Sequence, residues 1–317
     1  MSRRKRILLT IAGSLAALVV VLVVAVILVL QSAWFSNYVR EKIIAITEES
    51  TGGIAELGSF QFDWTHLTAR IRNFVLHGTE PKGTDPLARI ALLELRLKLF
   101  SGFKKVVDLQ YLGIEEPQVN LIVFPDGKTN VPEPKVKKQS SSDKSALETV
   151  VNLAVGQFKI ENGLLQYAQQ RSVFNARGEN LRVLLNYNQL KPSYTGSIRI
   201  DPLLVTSGTN TPLGVHVNAP VTIERDAIHL TNATFNTAQS QAVVNGSLQD
   251  MNNPQIAATL NATVALPEMQ KSFDLPIDTA AKAAPKSLSA EASVQIDTKN
   301  NAIQIKTAHL SLGQTSF

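Results

Sequence analysis

The chain has 317 residues, with 31 Lys and Arg against 26 Asp and Glu and no cysteine. Four of the cations are Arg3, Arg4, Lys5 and Arg6, so the remainder is close to neutral, which argues against the dense phosphate contacts of a nucleic-acid binder. The absence of cysteine excludes disulfides, zinc–thiolate sites and thiol nucleophiles together.

Directly behind the basic head (residues 1–6), residues 7–30 run for 24 positions without a charged side chain. As a helix this run would measure about 36 Å, enough to cross a bilayer with some tilt. The core is too long for a cleaved signal peptide, and Gln31 and Ala33 make a poor cleavage pair. The expectation is a single-pass signal anchor with a cytoplasmic N-terminus and the bulk of the chain on the far side of the membrane.

Residues 31–53 read as an amphipathic capping helix. Phe35, Val39, Ile43 and Ile46 recur at helical spacing, and Ser50-Thr51-Gly52-Gly53 ends the pattern. Trp34, Phe35 and Tyr38 lie just past the apolar run, where rings favour the headgroup zone; together with Arg3, Arg4, Lys5 and Arg6 they are the candidate membrane-interface residues. The helix can equally pack on the following domain as an end cap, and the two roles are compatible.

From Ile54 the period changes to two. Leu93, Leu95, Leu97 and Leu99 alternate with charged residues; Val107, Leu109 and Tyr111 follow, then Val119, Leu121 and Val123. The pattern returns at Leu181, Val183, Leu185 and Tyr187, at Ile198 and Ile200, at Ile228 and Leu230, and at Ile303 and Ile305. Turn signals stand at Pro125-Asp126-Gly127, Asn162-Gly163, Arg225-Asp226, Asn245-Gly246 and Thr298-Lys299-Asn300. Phase slips at Arg72-Asn73 and Leu92-Leu93 predict bulges that curve the sheet. A first β section is expected over 54–130, a Pro/Lys/Ser-rich linker over 131–145, and a second β section over 146–317, opening on a brief helix near Ala146. A second Ala/Pro/Lys-rich break runs from Asp278 to Ser287. The strand pattern at Ala302–Leu312 near the end of the sequence predicts that the array continues in a longer protein.

No catalytic constellation emerges. The five histidines (66, 77, 216, 229 and 309) share no ligand spacing, and Gly127-Lys128-Thr129 follows a turn signal without the upstream glycine of a phosphate loop. Glu115-Glu116 and Glu48-Glu49 are sequence neighbours, whereas glycosidase-type carboxylates must oppose each other across a substrate. The expectation is a non-enzyme without metal or cofactor. The large amount of one-sided apolar strand must then be covered by a second sheet, closed into a barrel, packed by helices or filled by an apolar ligand.

Residues 95–130 resemble the N-terminal part of the AsmA-like (AsmA/TamB-type) family. The matching features are Leu97-Lys98-Leu99-Phe100, Val107-x-Leu109-x-Tyr111, Pro117-x-Val119-x-Leu121 and Asp126-Gly127-x-x-Asn130, then a polar linker. Phe158-x-Ile160-x-Asn162-Gly163-x-Leu165-x-Tyr167 resembles the family's next hairpin, and the likeness extends over roughly residues 1–190. An Asp often found after that hairpin's aromatic is replaced here by Ala168-Gln169-Gln170. The resemblance implies a mainly β fold: transmembrane helix, capping helix, then an elongated, taco-like, curved sheet of antiparallel type with a hydrophobic groove. It also implies the inner membrane and periplasm of a double-membraned bacterium, phospholipid acyl chains as partner, and a role in lipid transport and outer-membrane biogenesis. The expected groove lining is Leu93, Leu95, Leu97, Leu99, Val107, Leu109, Val119, Leu121, Val183 and Leu185. The alternative is a scaffold or chaperone that meets an outer-membrane barrel protein by strand addition.

Overall fold

The computed structural model describes residues 18, 21–22, 24–25, 28–98, 109–135, 146–276, 284–300, 302–312 and 315–316. The expected span over 7–30, with Arg3, Arg4, Lys5 and Arg6 before it, lies largely outside the described residues. Its described positions Leu18, Val21, Leu22, Val24, Ala25 and 28–30 are helical. Among the described residues no helix is long and apolar enough to cross a membrane.

Helix α1 (Ala33–Thr51) starts at Ser32, whose Oγ accepts the Phe35 N–H at 3.1 Å, and stops at Gly52 with φ 78°. A side chain on Gly52 would also collide with the Glu133 carbonyl. The covered stripe of α1 runs through Phe35, Val39, Ile43 and Thr47, in steps of four. Ile46, expected on that stripe, falls off it and is 62% exposed. The helix closes the free edge of β1 (Ile54–Asp63). Arg40 Nε donates to the Leu57 carbonyl, Glu48 Oε1 accepts the Ala55 N–H at 3.1 Å, and Phe35 meets Phe60 edge-on at 6.2 Å. An edge strand covered this way offers no template to another chain.

All fifteen strands belong to one sheet. After β1 come β2 (Thr68–His77), β3 (Ala88–Leu97), β4 (Leu109–Glu115) and β5 (Gln118–Val123). Helix α2 (Ala146–Asn152) follows, then β6 (Gln157–Gln169), β7 (Phe174–Asn188), β8 (Ser193–Ser207), β9 (Leu213–Glu224) and β10 (Ala227–Asn236). Strands β11 (Gln241–Gln249) and β12 (Gln255–Ala265) lead into helix α3 (Leu266–Phe273). The chain then runs through β13 (Ser287–Asp297), β14 (Ala302–Leu312) and the short β15 (Thr315–Ser316). From β6 onward every pairing is an antiparallel neighbour pairing.

The one departure from antiparallel pairing is a seam. β4 and β5 lie end to end as one broken strand, interrupted at Glu116-Pro117, between β3 on one side and β6 on the other. They are antiparallel to β3 and parallel to β6, so residues 124–156 form the crossover a parallel pair requires. The two expected β sections are thereby sewn into a single sheet.

Two predicted turns are corrected. Asn162-Gly163 and Asn245-Gly246 lie inside β6 and β11, so the block Phe158–Tyr167 is one bent strand and no hairpin. Asn162 takes φ 54°, and it has company at the same level of neighbouring strands: Asn73 (53°), Glu116 (50°), Asn180 (49°) and Asn232 (51°). Side-chain bonds tie two members of this line to the next strand. Asn180 Nδ2 donates to the Asp201 carbonyl at 2.7 Å, and the Asn232 N–H donates to Asn245 Oδ1 at 2.7 Å. At this level the apolar residues step by three where elsewhere they step by two: Leu57 to Phe60, Ile71 to Phe74, Ile90 to Leu93, Ile160 to Gly163, Leu230 to Ala233. On β2, β6 and β10 a residue in left-handed conformation accompanies the odd step, keeps the apolar set on one face and bends the strand, while β1 and β3 make the same step without one. Neither predicted bulge forms: Asn73 is a left-handed bend with β1 and β3 in register on both sides of it, and the pairing of Leu92-Leu93 to β2 and β4 runs unbroken. Asn180→Val should cost about 2–3 kcal/mol, combining the left-handed backbone penalty with the lost Asp201 bond. Asn180→Gly should cost only the bond; equal denaturation midpoints for the two variants would contradict this.

Candidate functional site

Residues paired across neighbouring strands share a face, so the register assigns both faces of the sheet. One row begins Phe62, Ala69, Leu95, Leu112, Phe158, Leu185 and Gly196 on β1 to β8. It continues through Val221, Leu230, Gly246, Ala258, Val294 and Ile305 on β9 to β14. Thirteen strands contribute no polar side chain to it. At about 4.8 Å per strand the row is roughly 58 Å long. The row one residue over is its opposite: Asp63, Thr68, Arg96, Tyr111, Gln157, Asn186 and Thr195 lead on to Thr222, His229, Ser247, Ala257, Gln295 and Gln304.

The structure gathers most of the predicted lining on the apolar face. Leu95 and Leu185 stand in the long row. Leu93 and Val183 stand in the row beside it, joined through Ile114 and Ile160. Leu97 pairs with Leu109 across a register shift. Val119 and Leu121 continue the face beyond the crease, opposite Leu165 and Tyr167, and the Tyr167 ring meets Phe174 at 6.2 Å. Leu99 and Val107 lie outside the described residues. Tyr111, read in alternation with Leu109, is on the other face. The Leu97/Leu109 shift turns it there, and Arg96 sits over its ring at 4.8 Å.

Of the proposed interface aromatics, Phe35 is spent on Phe60, while Trp34 (69% exposed) and Tyr38 stack on each other at 5.8 Å away from the sheet.

Cover on the apolar face comes from helices, since no second sheet exists among the described residues. Val151 and Val155, on and just after α2, are fully buried with Leu181, Val183, Leu185, Tyr194 and Val221. α3 packs against β8 and β12 at the end of the strands where β10 turns into β11. Its Glu268 carboxylate accepts from the Thr237 hydroxyl and, at 2.6 Å, from the Ser240 hydroxyl of that turn. Away from these helices the face opens progressively, and on β14 Ile303 and Ile305 are 68% and 69% exposed. Sequence reasoning missed α3. Its signal was Pro267 at the first turn and Leu266, Met269 and Phe273 at helical spacing.

The polar face carries local charge pairs. Burial disfavours ionised Glu94, but the Arg70 bond at 2.8 Å and the Arg96 bond at 2.6 Å outweigh it and hold the carboxyl below its usual range. Asp201 pairs with His216, and Lys159 with Glu161 at 2.8 Å. Recesses of about 480 Å³ lie on this face, one lined by Arg182, Arg199, His216 and Asn218. Among the described residues no three His, Asp or Glu side chains converge as a metal-holding group. Chemically, the arrangement offers a long dry surface and an opposed hydrated one. Comparisons with protein-family models and with curated proteins find no match to this chain.

Proposed function

We propose that this chain is a non-enzymatic, AsmA-like, inner-membrane-anchored periplasmic protein whose apolar sheet face forms a hydrophobic groove for phospholipid acyl chains between the two membranes. The single observation that carries the reading is the row of thirteen apolar or glycine positions running across the strands. A core needs only to be covered, and a second sheet would do that; among the described residues the strands have none, and the face lengthens with each strand added. Exposing acyl chain to water costs about 0.8 kcal/mol per methylene, so a two-chain lipid faces a barrier on the order of 20 kcal/mol without such a surface. The polar face, one residue out of phase, keeps the opposite side in water. The unbroken run over residues 7–30, followed at once by α1, fits a tether at the β1 end.

The rival reading, a scaffold that accepts a strand of an outer-membrane protein, draws on the outer edge of β14, which β15 pairs only at Ser311 and Leu312 among the described residues. Mass spectrometry of the full chain, extracted in mild detergent and washed, separates the two. Phospholipid near or above one molecule per chain is the expected result. A lipid-free chain that cross-links to an outer-membrane protein through β14 would replace this function with the rival.

A further inference from the structure

Burial is unevenly distributed along the apolar face. Val151 (0% exposed) and Val155 (3%) lie in one sealed cluster with Leu181, Val183, Leu185, Tyr194 and Val221, while Val119 on the same face is 39% exposed. The element responsible is α2, only seven residues long. Such a short helix has no stability of its own and persists through what it rests on. It presents aliphatic groups to the sheet and keeps Val150 and Leu153 outward, both about half exposed. A polar bond reaches the seat beside the aliphatic contacts: the Val155 N–H donates to the Tyr194 hydroxyl at 2.7 Å. Burial pushes the Tyr194 phenol above its usual range, so it stays a neutral hydroxyl. Two branched aliphatic side chains over a patch of Leu, Val and Tyr reproduce what a saturated hydrocarbon chain would offer the same patch.

We propose that the seat of α2 on β7, β8 and β9 is an acyl-chain subsite that the polypeptide fills with its own Val151 and Val155, and that an entering lipid chain takes it by displacing α2. The proposal rests on the lipid-groove reading and adds to it a site and a gate. α2 lies across the middle of the long row, at Leu185 and Val221, so a chain that displaces it joins the face on β2–β6 to the face on β9–β14.

The test uses the absence of native cysteine. Val150→Cys, at an outward position, carries a nitroxide spin label on the full chain, and dioleoylphosphatidylcholine vesicles supply lipid. Bound lipid is counted by mass spectrometry on the same sample. The expected result is several-fold faster label motion as lipid binds. Tyr194→Phe should shift that transition to lower lipid and raise hydrogen exchange at the Val155 amide by about tenfold, since a buried N–H that loses its partner forfeits about 1.4 kcal/mol of protection, which is tenfold. Stoichiometric lipid with an unmoved label overturns the subsite and leaves the groove reading intact. No bound lipid at all overturns both.

Discussion

Leu95→Asp combined with Val119→Asp is expected to strip phospholipid from the purified chain by more than about tenfold while the sheet stays folded. Both side chains lie on the apolar face, Leu95 in the long row and Val119 beyond the crease. Val119 is 39% exposed and Leu95 half-buried, so a carboxylate at either place keeps contact with water in the empty protein. Against a hydrocarbon chain the same carboxylate must be desolvated without a partner, a cost of several kcal/mol, and each 1.4 kcal/mol is about tenfold in affinity. The control places the same charge on the hydrated face, with Asn186→Asp and Gln304→Asp; lipid content should not move. Circular dichroism and the denaturation midpoint confirm folding in all four variants. Equal lipid in the apolar-face and polar-face variants would end the groove reading.

A second large effect is expected at Asn130, the last residue of the Asp126-Gly127-x-x-Asn130 motif. Asn130 is completely buried. Its Oδ1 accepts the Ile122 N–H at 2.8 Å and its Nδ2 donates to the Asn120 carbonyl at 2.8 Å. The side chain thus takes the place of a neighbouring strand where β3 no longer reaches β5, and its own carbonyl accepts the Thr79 N–H at 2.8 Å. Gly127, at φ 86°, makes the turn that brings Asn130 back to this position. Asn130→Ala leaves two backbone groups buried without partners, at about 1–3 kcal/mol each, for a total of roughly 2–5 kcal/mol. Asn130→Asp retains the acceptor but faces the Asn120 carbonyl with a second oxygen, and should be no better. Chemical denaturation reads the difference; a loss below about 1 kcal/mol would refute the strand-mimic role.

The capping helix and most strands were legible because period carries them: four-residue steps over 35–47, two-residue steps from Ile54, and clear polar breaks at Arg225-Asp226 and Thr298-Asn300. The apolar face was legible for the same reason, since alternation names a face. Three features were not. Asn162-Gly163 and Asn245-Gly246 have the chemistry of a reversal, but paired strands on both sides hold them in line, so Asn162 only bends β6 and Asn245 stays extended, and those neighbours lie elsewhere in the sequence. The parallel seam depends on β6 finding β4 and β5 across a crossover, which no local pattern records. Val151 and Val155 read as an ordinary short helix, and their importance comes from Tyr194, some forty residues away.

The alignment of Asn73, Glu116, Asn162, Asn180 and Asn232 has a mechanical consequence. A hydrogen-bonded sheet resists stretching along its ladders, but it can pivot about a line that crosses every strand at one height. Here left-handed residues mark such a line on β2, at the β4–β5 break and on β6, β7 and β10, so the strand halves on either side of it meet at a bend. The angle between them sets the width of the space they enclose, and it cannot change at one strand without its neighbours following. A change of that angle at one strand therefore loads the strands hydrogen-bonded to it.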